Sequence, residues 1–134
     1  MRYLAIDLGE KRTGLASGDD ATGVVGPLCV IAMPRGEVLM NTVLKEIEAY
    51  SPDAIVIGLP LNMDGTEGEA AKEVRRFGDA LKSRSGKPVH YQDERLTSYA
   101  ADQQMAQSGR THRQKKELRD ALAAAEILRD FLDA

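Results

Sequence analysis

The stretch Tyr3-Leu4-Ala5-Ile6-Asp7-Leu8-Gly9 opens with four apolar or aromatic residues in an unbroken run, which then meets an aspartate. A continuous run this short is the pattern of a strand buried on both faces, in the middle of a sheet. A charge at the end of such a strand is costly unless something compensates it. Gly9 lets the chain turn sharply and keeps the backbone open to a ligand. Asp7 therefore reads as a metal ligand or catalytic carboxylate at the C-terminal edge of a central strand, or more plainly as a strand-end residue capping a turn.

Outward from this strand, the first 31 residues read as β structure. Arg12-Thr13-Gly14-Leu15-Ala16-Ser17 is a second strand and Gly23 to Ile31 a third, with Gly18-Asp19-Asp20 as turn chemistry between them. Segments so close together pair as an antiparallel meander. From Gly36 the period changes: Val38, Leu39, Val43, Leu44 and Ile47 recur at helical spacing until Ser51-Pro52. Asp53 to Gly58 is a short buried strand, followed by the loop Leu59-Pro60-Leu61-Asn62-Met63-Asp64-Gly65. Thr66-Glu67-Gly68-Glu69 fits a capping box that starts a helix running to about Ser83. Val89 to Gln92 is a further strand ending in Asp93-Glu94-Arg95. Thr97 or Ser98 caps a helix through about Gln107, and a last helix runs from about Arg113 to Leu132. Strands alternating with helices after a meander predict a mixed α/β sheet covered on both sides.

With 134 residues, 43% hydrophobic and 29% charged, the chain reads as one soluble domain, 1–134, able to bury a core without staples. Cys29 is the single cysteine and sits in the apolar run Leu28-Cys29-Val30-Ile31. An internal disulfide and a cysteine-rich zinc site are excluded, and a reducing cytoplasm fits. No apolar run approaches the roughly 18 residues of a membrane span, and the N-terminal residues do not read as a signal peptide. The net charge of −3 and pI near 5.4 give no global basic footprint, so local charge must carry any contact with nucleic acid.

In open α/β sheets ligands sit beyond the carboxyl ends of the strands. Three strands here run into polar groups at that end: Asp7-Leu8-Gly9, then Asn62 and Asp64, then Asp93-Glu94-Arg95. The last helix adds Asp120, which shares a stripe with Ala124, Ile127 and Phe131. A helix-dipole partner or an ion pair with Lys116 explains Asp120 equally well. Clustered carboxylates without a His/Cys set suit hard cations such as Mg²⁺ or Mn²⁺. Two such ions about 4 Å apart activate water and stabilise the leaving oxygen of a phosphodiester. Neither His90 nor His112 belongs to a sequence-adjacent triad. The segment from Arg110 to Arg119 carries five Lys/Arg against one acid, and Lys11 and Arg12 lie just past Asp7. Cations that hold phosphates beside carboxylates that hold metal are what a nuclease needs, although a solvated helix face is the usual reading of such charges.

Together these pieces resemble the YqgF family, also called RuvX, of Holliday-junction-resolvase-like or pre-ribosomal-RNA nucleases. The resemblance rests on four stretches in order: Asp7 to Ala16, Val56 to Thr66, Asp93 to Thr97, and Asp120 to Ala124. It implies an RNase H-like (RuvC-like) five-stranded mixed sheet with the second strand antiparallel and helices on both faces. It implies that Asp7, Glu94 and Asp120 are the catalytic, metal-binding triad, with Asp93 in reserve for Glu94. The expected substrate contacts are Lys11, Arg12, Asn62, Asp64, Arg95, Thr97, Arg113 and Lys116. For Asn62 and Asp64 a structural turn is the alternative.

The implied function is metal-dependent hydrolysis of phosphodiesters in the 16S rRNA precursor, in the bacterial cytoplasm, leaving a 5′-phosphate and a 3′-hydroxyl. Nucleic acid and ribosomal assembly intermediates are the expected partners, and a monomer or homodimer the expected state. The competing readings are a junction resolvase on branched DNA, a nonenzymatic RNA-binding assembly factor, and an actin-like phosphotransferase. The last would need two such domains.

Overall fold

The strand centred on Leu4 to Ile6 lies in the middle of a five-stranded sheet. The computed structural model describes residues 1–94 and 112–133, with side-chain surroundings in the second segment from residue 118 onward. The elements are β1 (Arg2–Leu8), β2 (Thr13–Asp19), β3 (Val25–Ile31), α1 (Glu37–Tyr50), β4 (Ala54–Leu59), α2 (Glu69–Ser85), β5 (Val89–Asp93) and α3 (His112–Asp133). The sheet order is β3-β2-β1-β4-β5. The meander β1-β2-β3 is antiparallel, while β1, β4 and β5 run parallel, so their carboxyl ends share one edge. The helix expected from Thr97 or Ser98 to Gln107 lies outside the described residues.

Alternation along β1 divides its side chains between two cores. Leu4, Ile6 and Leu8 join Leu39, Val43, Ile47, Val74 and Leu81 beneath α1 and α2. Tyr3 and Ala5 join Ala16, Ala54 and Val56 beneath Ala124, Ala125, Ile127 and Leu128 of α3. On this second face Ala5, Ala16 and Ala54 of the sheet meet Ala124 and Ala125 of α3, and these small residues allow α3 to lie close to the sheet. Cys29 is half-buried against the first core, as a small hydrophobe would be.

Two local expectations are corrected. Val38 is 69% exposed, and Met40 takes a place on the buried stripe beside Leu39, Val43 and Ile47. At 100° per residue Val38 stands roughly 150° from the centre of that stripe. The capping box does not form either. The N-cap of α2 is Gly68, with no side-chain cap, and the helix starts at Glu69. The Thr66 hydroxyl and backbone N–H both donate to Asp64 Oδ1 instead, at 2.6 and 3.0 Å. The local turn outcompetes the helix end for that hydroxyl. The stops are where expected. Ser51, just before Pro52, ends α1 in the left-handed region (φ 54°), and Gly86 ends α2 likewise (φ 73°).

Candidate active site

Asp7 stands one residue from the end of β1 and projects, like Tyr3 and Ala5, toward α3. Across the ladder it faces Gly14 of β2. Gly14 has no side chain because none fits: a Cβ there would run into the backbone of Asp120. This close approach sets the third turn of α3 against the sheet beside the end of β1 and puts Asp120 within electrostatic reach of Asp7.

Glu94 arrives from the other side. Its backbone N–H donates to the Leu59 carbonyl at 3.3 Å, continuing the β5–β4 pairing by one step. Its side chain lies over Gly58, where a Cβ would sit 2.6 Å from Oε2. The missing side chain at Gly58 is thus the space through which Glu94 reaches Asp7. The two carboxyls lie close enough to act on each other's ionisation. Burial raises the pKa of both. Glu94 is pushed up to about 9, by burial first and then by the charge of Asp7. Two carboxyls facing each other out of water resist ionising together, so both shifts run upward. Of the adjacent acids it is Glu94 that meets Asp7, while Asp93 falls on the alternate face.

Asp120 is engaged elsewhere. Arg12 Nε donates to its Oδ2 at 3.0 Å in a half-buried ion pair. Among the described residues no group of three acid, histidine or cysteine side chains is arranged to hold a metal ion. The structure therefore brings two of the three expected ligands into contact and places the third beside them, held by a guanidinium.

The other expected contacts divide. Lys11 is exposed and Arg12 half-buried beside the acids. Asn62 and Asp64 lie in the loop leaving β4, and that loop binds itself. Asn62 N donates to Thr66 O at 2.9 Å, Gly65 N to Asn62 O at 2.8 Å, and Asn62 Nδ2 to Thr66 Oγ1 at 3.0 Å. Both residues thus serve the turn. Arg95 and Thr97 lie outside the described residues, as do the side chains of Arg113 and Lys116. His90 is exposed, with its ring 5.3 Å from that of Phe131, and takes no part.

One residue at the site escaped the sequence reading. Arg35, in the turn between β3 and α1, donates from Nε to Gly9 O at 3.1 Å and from Nη2 to Leu8 O at 3.2 Å. Nη1 pairs with Glu73 of α2. Its charge opposes the upward shift of Glu94. A lone Arg between Pro34 and Gly36 carries no local signal, because its partners lie 26, 27 and 38 residues away.

A mixed five-stranded sheet with carboxyls at the ends of its first and last strands, backed by a closely packed C-terminal helix, is the RNase H-like architecture of resolvases and related nucleases. The chain belongs to the RuvX family, described as a Holliday junction resolvase, whose profile matches residues 1–134. A protein of Thiobacillus denitrificans named "Putative pre-16S rRNA nuclease" is 42% identical over 98% of this chain and 90% of its own length. One of the same name from Anaeromyxobacter is 38% identical over 99% of this chain and 97% of its own. The fold is shared with the Fowlpox virus resolvase solved with Holliday junction DNA. That match has a TM-score of 0.64 and 12% identity, and covers 99% of this chain and 97% of that one. Among the described residues no helix is long and apolar enough to cross a membrane.

Proposed function

We propose that this chain, a nuclease by family, is metal-dependent and cuts the precursor of 16S rRNA in the cytoplasm, with Asp7, Glu94 and Asp120 as its catalytic ligands. The observation that carries the reading is the Asp7–Glu94 pair: two buried carboxyls brought face to face at the carboxyl edge of the sheet, each with its pKa raised. Keeping two acids there costs stability, and a cation that offsets their charge removes that cost. Oxygen donors suit Mg²⁺ or Mn²⁺. When bound, such ions activate water and neutralise charge on the scissile phosphate. The chain's own part is to hold the acids on rigid strand ends and to keep Arg12, paired with Asp120, beside them; Asp7, Glu94 and Asp120 would hold the ions, and Arg12 would supply a cation for phosphate. Lys11 adds a second cation for the nucleic-acid backbone. The names of the relatives support an RNA precursor, and the family's description keeps branched DNA as the second substrate.

The test is cleavage of labelled single-stranded RNA, a ribosomal precursor fragment, duplex DNA and a four-way junction, each with Mg²⁺, Mn²⁺ or EDTA. Wild type and Asp7→Asn are run side by side. The expected result is metal-dependent cutting, fastest on the precursor, reduced about 1,000-fold or more in a folded Asp7→Asn. A folded, fully active Asp7→Asn sinks the assignment. Faster cutting of the junction moves the substrate to branched DNA. Salt-sensitive RNA binding without cutting leaves the assembly-factor reading.

A further inference from the structure

We propose that Arg35 is a positioning residue of this site: its guanidinium clamps the backbone leaving β1 and so fixes where Asp7 points. The inference rests on the nuclease reading above and adds to it a residue outside the acidic set.

The end of β1 needs such a clamp. Parallel pairing with β4 stops at Ile6–Ile57, and antiparallel pairing with β2 stops at Leu8–Thr13. Asp7 therefore sits where the ladder is running out on one side, and Gly9 stands two residues on, in a turn so tight that a Cβ would meet the Arg12 carbonyl. A strand end with a missing neighbour and a glycine beside it is free to twist, and the Asp7 carboxyl would swing with it. Arg35 supplies the lost partner. Nε and Nη2 are adjacent donors in one rigid plane, and they take the adjacent carbonyls of Gly9 and Leu8.

The clamp is itself anchored. The third guanidinium nitrogen pairs with Glu73 on α2, and the Arg35 side chain is 28% exposed, so its position is set by packing as well as charge. Glu73 belongs to the helix layer opposite α3, whereas Asp7 projects toward α3. Arg35 thus holds the backbone from the α2 side, opposite to the side Asp7 faces, while its charge is also felt at Glu94. This is the role of outer groups that orient ligands, whose loss typically weakens metal binding 10- to 100-fold.

The experiment measures Mn²⁺ binding by calorimetry on the full chain without nucleic acid, amide hydrogen exchange at Gly9 and Glu10, and the kcat–KM split on the substrate cut fastest. Wild type, Arg35→Gln, Arg35→Lys and Glu73→Gln are compared. Arg35→Gln is expected to weaken Mn²⁺ about 10-fold or more, speed exchange at both amides, and lower kcat with KM for the nucleic acid unchanged. Arg35→Lys does not rescue it, because one ammonium cannot fork two carbonyls. Glu73→Gln shows the same pattern, weaker by several-fold. Unchanged Mn²⁺ affinity and exchange in Arg35→Gln, or full rescue by lysine, overturn the proposal. Should Arg35→Gln fail to fold, Glu73→Gln decides it, and wild-type Mn²⁺ affinity there is the refuting result. A wild type that takes up no Mn²⁺ overturns both this proposal and the metal-dependent reading, whereas a Mn²⁺-binding wild type matched by Arg35→Gln overturns this proposal alone.

Discussion

At the residue scale, the site is made as much by missing side chains as by acids. Glu94 reaches Asp7 only because position 58 is glycine, with 2.6 Å left for a Cβ. In Gly58→Ala the new methyl presses on the carboxylate and on Ile127. Displacing a reacting group by about 1 Å costs on the order of 100-fold in rate. We expect that loss in cleavage assays, with the protein still folded by circular dichroism. Thr13 makes the opposite point. It is fully buried, and its hydroxyl has no hydrogen-bond partner among the described residues. An unsatisfied buried hydroxyl costs about 1–3 kcal/mol, so Thr13→Val, nearly the same shape, should be neutral or stabilising by up to about 1 kcal/mol in urea unfolding. A clear destabilisation would mean that the hydroxyl has a partner in solution.

At the scale of elements, α3 is both a core helix and part of the site. Ala121, Ala124 and Ala125 are buried, and they face Ala5, Gly14, Ala16 and Ala54 of the sheet. Small against small allows close approach, and the close approach puts Asp120 near Asp7. Ala124→Leu has no room. Overpacking of this kind costs about 1–3 kcal/mol. It should also lift the helix, so activity should fall further than the folded fraction does. Thermal unfolding and cleavage measured on the same preparation separate the two effects, and an active Ala124→Leu would show that the spacing of α3 does not matter.

At the scale of the whole molecule, the acid pair makes stability depend on pH. Glu94 holds its proton in the fold up to about 9, and Asp7 is shifted upward too, while the unfolded chain loses these protons in the ordinary carboxyl range. Between those limits the folded state binds more protons than the unfolded state, so this contribution falls as pH rises from about 5 to 9. In EDTA the unfolding midpoint should drop by several degrees across that window, and Glu94→Gln should flatten the slope. Mg²⁺ should restore more stability at pH 9 than at pH 5, because the ligands must be deprotonated to bind it. A midpoint that climbs with pH in EDTA would contradict the upward shifts of the pair.

Much of this was legible in the chain itself. The apolar run Tyr3 to Ile6 marks a central strand, helical spacing marks α1 and α3, and turn residues mark most stops, because burial and backbone preference act over a few neighbouring residues. Asp7 and the run Asp93-Glu94-Arg95 stood out as polar groups at the ends of buried strands, while the choice of Glu94 over Asp93 came from the family resemblance. The failures were local competitions. Thr66 had two possible partners and took Asp64, and Val38, apolar but on the far side of α1 from its buried stripe, does not belong with the stripe. What only the tertiary structure decided was which groups meet: Glu94 over Gly58, Asp120 with Arg12, and Arg35 on the carbonyls beside Asp7. Those pairings join residues tens of positions apart, and their distances follow from sheet order and helix spacing. No local pattern encodes them, because every surface that sets them is shared between distant parts of the chain.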